Sequence, residues 1–295
     1  MDFNLKTYHS LLEAFQNQDY AFLSFAEFLQ HPTDKAVILR HDVEKRYRNA
    51  LGIARLQHAK GIRGTYYFRI LNGKLQRDII KEIAALGHEI GYHYDDLSHC
   101  KGDHEAAIQR FERHLTMLRE IAPVKTICME GAPLSKHDNR DLWKIYDYRD
   151  YGIIGEPYLD LDFSRVFYLT DTGRRWDGGT VSLRDKVERK KHSTQRPQNE
   201  RNAKGAKKKS LSEPLREPSA PICENQNQSF RHTRDILTAI NDDTLPYPLM
   251  ITIHPQRWTN KPLPWVRELL WQNAKNVIKA YHVRRQNRRK VKNNE

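Results

Sequence analysis

Ala36-Val37-Ile38-Leu39-Arg40-His41-Asp42-Val43-Glu44 carries the plan of this chain. Ala36–Arg40 is a short apolar run suited to a buried strand. No glycine-rich turn follows it, which argues against a dinucleotide-binding fold. The run ends instead in His41, Asp42 and Glu44. Asp42 and Glu44 stand two apart, so extended backbone sets both on one face. One carboxylate there can hold a cation while the other takes a proton from water.

The same pattern recurs along the chain. Gly64–Arg69, His88–Tyr92, Val124–Met129, Tyr151–Gly155, Val166–Thr170 and Leu249–Ile253 are further candidate strands. Between them lie helical stretches. Asn49 is expected to cap a helix running through Lys60, with Gly61 ending it. Arg77–Leu86 ends at Gly87, and Thr233–Asn241 precedes the last strand. Asp103–Ile121 has Ala107, Phe111, Leu115, Leu118 and Ile121 at three- and four-residue spacing, an amphipathic helix. Ser24 and Glu27 form a capping-box pattern that opens a short N-terminal helix. Strands alternating with helices imply parallel βα units, in an open sheet or a closed barrel.

Chemically capable side chains collect where the strands stop, the place parallel α/β folds put their sites. His93, Asp95, Asp96 and His99 follow His88–Tyr92. Glu130 follows Val124–Met129, and Asp171, Arg174 and Trp176 follow Val166–Thr170. His254 and Trp258 follow Leu249–Ile253. His93, ending a strand beside an acidic cluster, suits a metal ligand. His254, between an apolar strand and Pro255, suits a general acid. Arg174 could orient a carboxylate, while Trp176 and Trp258 offer faces on which a sugar can stack. Glu130 is a further candidate for substrate contact.

The chain has 295 residues and a net charge of +13. From Val187 to Gln228 there are 10 Lys and Arg against 5 acidic residues, and from His282 to Glu295 there are 6 against 1. The remainder carries only +3, so the basicity says little about the chemistry of the folded part. Residues 187–229 lack apolar periodicity and are expected to be a disordered basic insertion. Residues 284–295 are a basic tail. The expected organisation is an N-terminal helical extension over 1–34 and one barrel-forming unit over 35–186 and 230–283. Cys100, Cys128 and Cys223 show no metal-ligand spacing and argue against a disulfide framework. No apolar run reaches the length of a membrane span, and the N-terminus lacks a signal pattern, so a cytoplasmic location is expected.

LRHDVE (39–44), GHEIGYHYDD (87–96), DTGRRWDGG (171–179) and LMITIHPQRW (249–258) resemble the motifs of polysaccharide deacetylases, the NodB-homology group of carbohydrate esterase family four. The resemblance runs from about Ala36 to Trp258. It implies a distorted (β/α)7 barrel and removal of acetyl groups from N-acetylated sugars. It also implies a divalent metal, usually zinc, with cobalt, nickel or manganese as substitutes. Carried over by position, Asp42 is the catalytic base, Glu44 and His93 are metal ligands, and His254 is the general acid. Arg174 stands where the family keeps an arginine against the base. The family's second histidine falls at Leu97, so His99 is taken as the third ligand, with Asp95, Asp96 and His41 as the other routes.

The leading expectation is therefore a metal-dependent hydrolase cleaving a carbon–nitrogen amide bond of a sugar or glycan. One alternative is a catalytically degenerate barrel that binds a glycan or a partner protein. Another is a nucleic-acid binder using the basic segments. Against the latter, those segments have almost no aromatic residues to stack on bases and no recognisable module.

Overall fold

A computed structural model describes residues 2–132, 135–176 and 228–274. In chain order the elements begin with α1 (Leu5–Asn17), β1 (Ala21–Leu23), α2 (Phe25–Gln30), β2 (Ala36–Val43) and α3 (Tyr47–His58). They continue with β3 (Thr65–Phe68), α4 (Arg77–Ala85), β4 (Glu89–Tyr94), α5 (Asp96–His99), α6 (His104–Arg119) and β5 (Val124–Met129). Then come α7 (Pro157–Asp160), β6 (Phe167–Thr170), α8 (Thr233–Asn241) and β7 (Leu249–Ile253).

The strands form one parallel sheet in the order β5-β4-β3-β2-β7-β6, with β1 beside the first half of β2. This is the cyclic order of a βα barrel, broken between β5 and β6. The sheet is strongly coiled. Strands three places apart in a flat sheet lie about 14 Å from each other at the usual spacing. Asp42 of β2 and Cys128 of β5 are three places apart, yet their polar atoms lie within 4.8 Å.

Coiling explains why all eight residues of β2 are buried. Alternate side chains enter two different layers. Val37, Leu39 and Val43 face outward into the layer beneath the helices, beside Tyr66, Phe68 and Tyr92. Ala36 and Ile38 face inward with Tyr67, Cys128 and Met250. The same parity sends Arg40 and Asp42 into the barrel and His41 out of it. The α2 helix closes the amino end of the barrel, with Phe25 and Leu29 joining the inner layer. The Phe25 N–H donates to Thr65 Oγ1 (2.8 Å) and the Ala26 N–H to Glu89 (2.9 Å), so the plug is tied to β3 and β4. The N-terminal segment thus supplies a strand as well as helices. Tyr67 leans across the interior over Gly91, where any Cβ would collide with its ring, and its hydroxyl meets Thr126 at 3.1 Å.

Two elements differ from the sequence reading. Tyr151–Gly155 is a strand candidate by its apolar pattern, but it begins as the end of a 3₁₀ turn (Tyr148–Tyr151), which Gly152 closes at φ +68°. Only Gly155 then bridges Thr126 of β5 before Glu156 caps α7. The apolar run is too short to continue between those two stops. The second difference is α3, which starts at Tyr47 with Arg46 at φ +52°. The Asn49 side chain does not cap it but donates to the carbonyls of Pro255 (3.3 Å) and Trp258 (3.1 Å). The expected insertion at 187–229 falls almost wholly on residues 177–227, and the tail at 284–295 on residues 275–295, both outside the described residues. Among the described residues no helix is long and apolar enough to cross a membrane.

His41 gives the fold a pH signature. Its ring stacks on Tyr66 with centroids 4.1 Å apart, and its Nδ1 donates to the Thr65 carbonyl (3.0 Å). Burial pushes its pKa down to about 3. The unfolded imidazole takes a proton near pH 6.5, so the native state is penalised as pH falls from there toward 3. At pH 5 the penalty is about 2 kcal/mol, from 1.5 pH units at 1.36 kcal/mol each. Urea melts at pH 7 and pH 5 should show this loss, and in His41→Gln the loss between the two should shrink by about that amount. An equal loss in wild type and variant would mean that His41 does not carry it.

Candidate active site

The carboxyl ends of the strands carry two polar clusters. The first joins Asp42 of β2, His93 of β4 and Cys128 of β5, all buried. His93 and Cys128 are direct register partners, so both point into the barrel at one level. His93 Nδ1 lies 3.0 Å from the Cys128 carbonyl. A carbonyl only accepts, so Nδ1 carries the proton and Nε2 of the neutral ring keeps a lone pair. That Nε2 is 3.9 Å from Asp42 Oδ2 and 3.2 Å from Glu130 Oε2. Burial opposes a charge on His93, but Asp42 and Glu130 outweigh it and lift the ring to about 9.

Arg40, two residues before Asp42 and so on the same face, grips it through two hydrogen bonds of 2.9 and 2.7 Å. Burial would raise the Asp42 carboxyl, yet Arg40, His93 and His254 together hold it below the ordinary carboxylate range. Burial also works against Glu130, whose carboxyl is held low by His93 and Arg69. Its buried Oε2 also lies 3.4 Å from Arg69 Nη1.

The second cluster is built on Asp171, just past β6. Its carboxylate accepts from His254 Nδ1 (2.6 Å), the His254 N–H (2.9 Å), Arg257 (2.7 Å) and the Trp258 indole (2.7 Å). Burial would raise this carboxyl too, but Arg257 and His254 keep it at about 2. With Nδ1 held, His254 presents Nε2, which faces Glu44 at 3.8 Å. The clusters are neighbours. His41 of β2 pairs in register with Ile253 of β7, and Asp42 and His254 are the next residue on each.

The structure brings Asp42, Glu44, His93, Glu130 and His254 to one mouth and moves the other expected residues elsewhere. Glu44 faces His254 and does not join the Asp42–His93–Cys128 group. His99 is exposed at the end of α5, where the helical turn after Tyr94 swings it outward. Asp95 is spent on Arg69 (2.7 Å) and Arg110 (2.7 Å), and Asp96 turns outward to Tyr92 and Arg110. Arg174, at φ +59°, points away from Asp42 to the carbonyls of Trp265 and Asp2, both at 3.3 Å. Arg40 occupies the place expected for it. Trp176 and Trp258 are 3% and 1% exposed, so neither offers a face to a sugar. They pack against Phe3, and Trp176 donates to Thr233 (2.9 Å).

Arg40 and Cys128 escape the sequence reading, and Asp171 is found there only as a strand-end residue without its partner. Arg40 is within its reach, because period-two alternation already puts it with Asp42. Asp171 stands at a strand end, but its link to His254 depends on the pairing of β6 with β7. Cys128 lies inside an apolar strand and gives no local signal.

No protein-family model matches the sequence, and neither does any curated protein sequence. Among solved structures, the chain is similar to a family 4 carbohydrate esterase from Streptomyces lividans, determined with acetate. The identity is 11%, over 81% of this chain and 88% of that one, with a TM-score of 0.38. It is also similar to the catalytic domain of a peptidoglycan N-acetylglucosamine deacetylase from Eubacterium rectale ATCC 33656. There the identity is 12%, over 83% of this chain and 87% of that one, with a TM-score of 0.41.

Proposed function

We propose that this chain is a metal-dependent hydrolase that removes an acetyl group from an N-acetylated sugar. One observation carries the reading: a carboxylate-braced imidazole, His254 on Asp171, stands beside the buried Asp42–His93–Cys128 group at one barrel mouth.

The donor set fits a divalent ion. Ligands about 2.0–2.3 Å from one zinc stand roughly 3.3–3.8 Å apart. His93 Nε2 lies 3.9 Å from Asp42 Oδ2 and 3.2 Å from Glu130 Oε2. Cys128 replaces the expected His99 and adds a soft thiolate donor, which favours zinc over manganese. Bound there, the ion would polarise the amide carbonyl and lower the pKa of water.

The geometry supports exchanging two roles given by the sequence. Asp42 belongs to the ligand group, and with its carboxyl held low it is a poor proton acceptor. Glu44 stays outside that group at the open mouth and is the carboxylate left to take the proton of the attacking water. His254, its Nδ1 anchored by Asp171, donates from Nε2 to the leaving amine. Acetate release from N-acetylglucosamine oligomers by zinc-loaded protein is the direct test. No release from these or from phosphate esters of N-acetylglucosamine, despite one bound zinc per chain, overturns the proposal.

The ligand group has its own test. Cys128→Ser should weaken zinc binding about 10- to 100-fold or more, judged by the size of effects from residues that only support ligands. Competition with a chelator measures it, and unchanged affinity would remove Cys128 from the set.

A second reading, a barrel that binds a glycan without metal, has one observation in its favour. Arg40, Arg69 and a protonated His93 already balance Asp42, Asp95 and Glu130. Purified protein that takes up no stoichiometric zinc, cobalt, nickel or manganese would favour it.

A further inference from the structure

Glu44 and Arg69 mark where the mouth of the barrel opens into a groove of about 730 Å³. The groove runs past the start of α3 and over the loop before α4. Five cations line it, Lys45, Arg46, Arg69, Lys74 and Arg77, against the single carboxylate of Glu44. Arg69 is committed to Asp95 and Glu130, and Arg77 holds Glu120 at 3.0 Å. Lys45 and Lys74 are exposed, and neither has an acidic partner among the described residues. An ordinary solvated surface intersperses both signs. A concave wall of one sign instead focuses its field into the groove and concentrates anions there.

A neutral acetamido sugar has no use for such a wall. The groove is also larger than one sugar requires, since cavities of about 300–1,000 Å³ take a whole drug-sized ligand. Its cations are spread along the wall and include Lys point charges, which suits a multivalent phosphate more than a single carboxylate. Tyr47, Leu71, Leu75 and Met117 add apolar surface to the lining.

The geometry points to a substrate whose sugar carries a diphosphate, with the acetamido group at the mouth and the diphosphate in the Lys45–Lys74 groove. This deepens the hydrolase reading and rests on it. The carrier beyond the diphosphate is a nucleoside or a lipid, and either would bring an apolar body against that lining.

The experiment titrates inorganic pyrophosphate into the full chain by calorimetry. Binding should weaken about 100-fold in Lys45→Gln/Lys74→Gln, near tenfold for each ammonium–phosphate hydrogen bond removed. Lys125→Gln, exposed at the amino end of β5 and so at the opposite end of the barrel, should leave the affinity unchanged. No pyrophosphate binding, or equal weakening in both variants, overturns the proposal. Uridine diphosphate and farnesyl diphosphate are then compared. Tighter binding of one than of pyrophosphate supports the proposal and identifies the carrier, while neither binding more tightly overturns the carrier assignment. A single-stranded oligonucleotide whose affinity rises with length and is lost in the same double variant would overturn the proposal in favour of nucleic acid. Pyrophosphate binding without any acetate release leaves the groove standing and removes the hydrolase reading. Acetate release without pyrophosphate binding does the reverse.

Discussion

Asp42→Asn is expected to lower the melting temperature by roughly 6–20 °C, from a loss of about 3–5 kcal/mol. The reason is Arg40 more than Asp42. The guanidinium is 1% exposed inside the barrel, and Asp42 is its ion-pair partner at 2.7 Å. The Tyr158 ring at 5.0 Å adds only a weak cation–π contact. Asparagine keeps the shape but leaves a buried charge uncompensated. Glu156 is the other carboxyl near Arg40. Burial pushes it up to about 7, and its oxygens already accept from the Met129 and Tyr158 N–H groups. Adding Arg40→Met to Asp42→Asn should recover most of the loss, because an apolar side chain of similar volume needs no partner. Urea melts of the two single variants and the double complete the cycle. A loss below about 1 kcal/mol in Asp42→Asn would mean that Arg40 is satisfied by something other than Asp42. Lost turnover in this variant is therefore to be read only beside its folded fraction.

Asp171→Asn is expected to cut acetate release by about 10²–10⁴-fold. The carboxylate fixes the proton of His254 on Nδ1, stabilises the charged ring, and anchors Arg257 and Trp258 at the same time. His254→Ala should lose a similar factor. The two losses should not multiply in the double variant, because the residues act as one unit. kcat measured on protein shown to be folded is the readout. Full multiplication of the two losses would separate the residues and undo the acid role given to the pair.

How much of this is readable follows from where each signal resides. Strands buried on both faces announce themselves as largely apolar runs, so AVIL (36–39) and LMITI (249–253) are found where the sheet has them, and VKTICM (124–129) is found despite its exposed Lys125. The segment 151–155 carries similar residues, but Gly152 and Pro157 bound it too tightly for a strand, and length overrides its apolar character. Asp42, His93 and His254 are legible because polar residues at the ends of apolar strands have few other reasons to be there. His99 and Arg174 mislead for backbone reasons. A helical turn after His93 carries His99 to the surface, and left-handed residues at Gly173 and Arg174 turn the chain aside. Cys128 and the Asp171–His254 pair depend on which strands lie side by side, and no local pattern encodes that.

The placement of β2 bears on how the chain is made. Among the described residues the second strand in chain order sits mid-sheet, and one flank is filled only by the last of them, β7. Until residues 249–253 leave the ribosome, that flank shows unpaired N–H and C=O groups on an apolar strand, a template for pairing with other chains. The β6 strand waits as well, because its ladder partner is β7. Closure is therefore a late, long-range event, with the loop-closure cost and slow timing that such contacts bring. A chain stopped just before β7 should accumulate as aggregate or as chaperone client, since it has made nearly every described element of the barrel and still lacks the strand that joins β2 to β6.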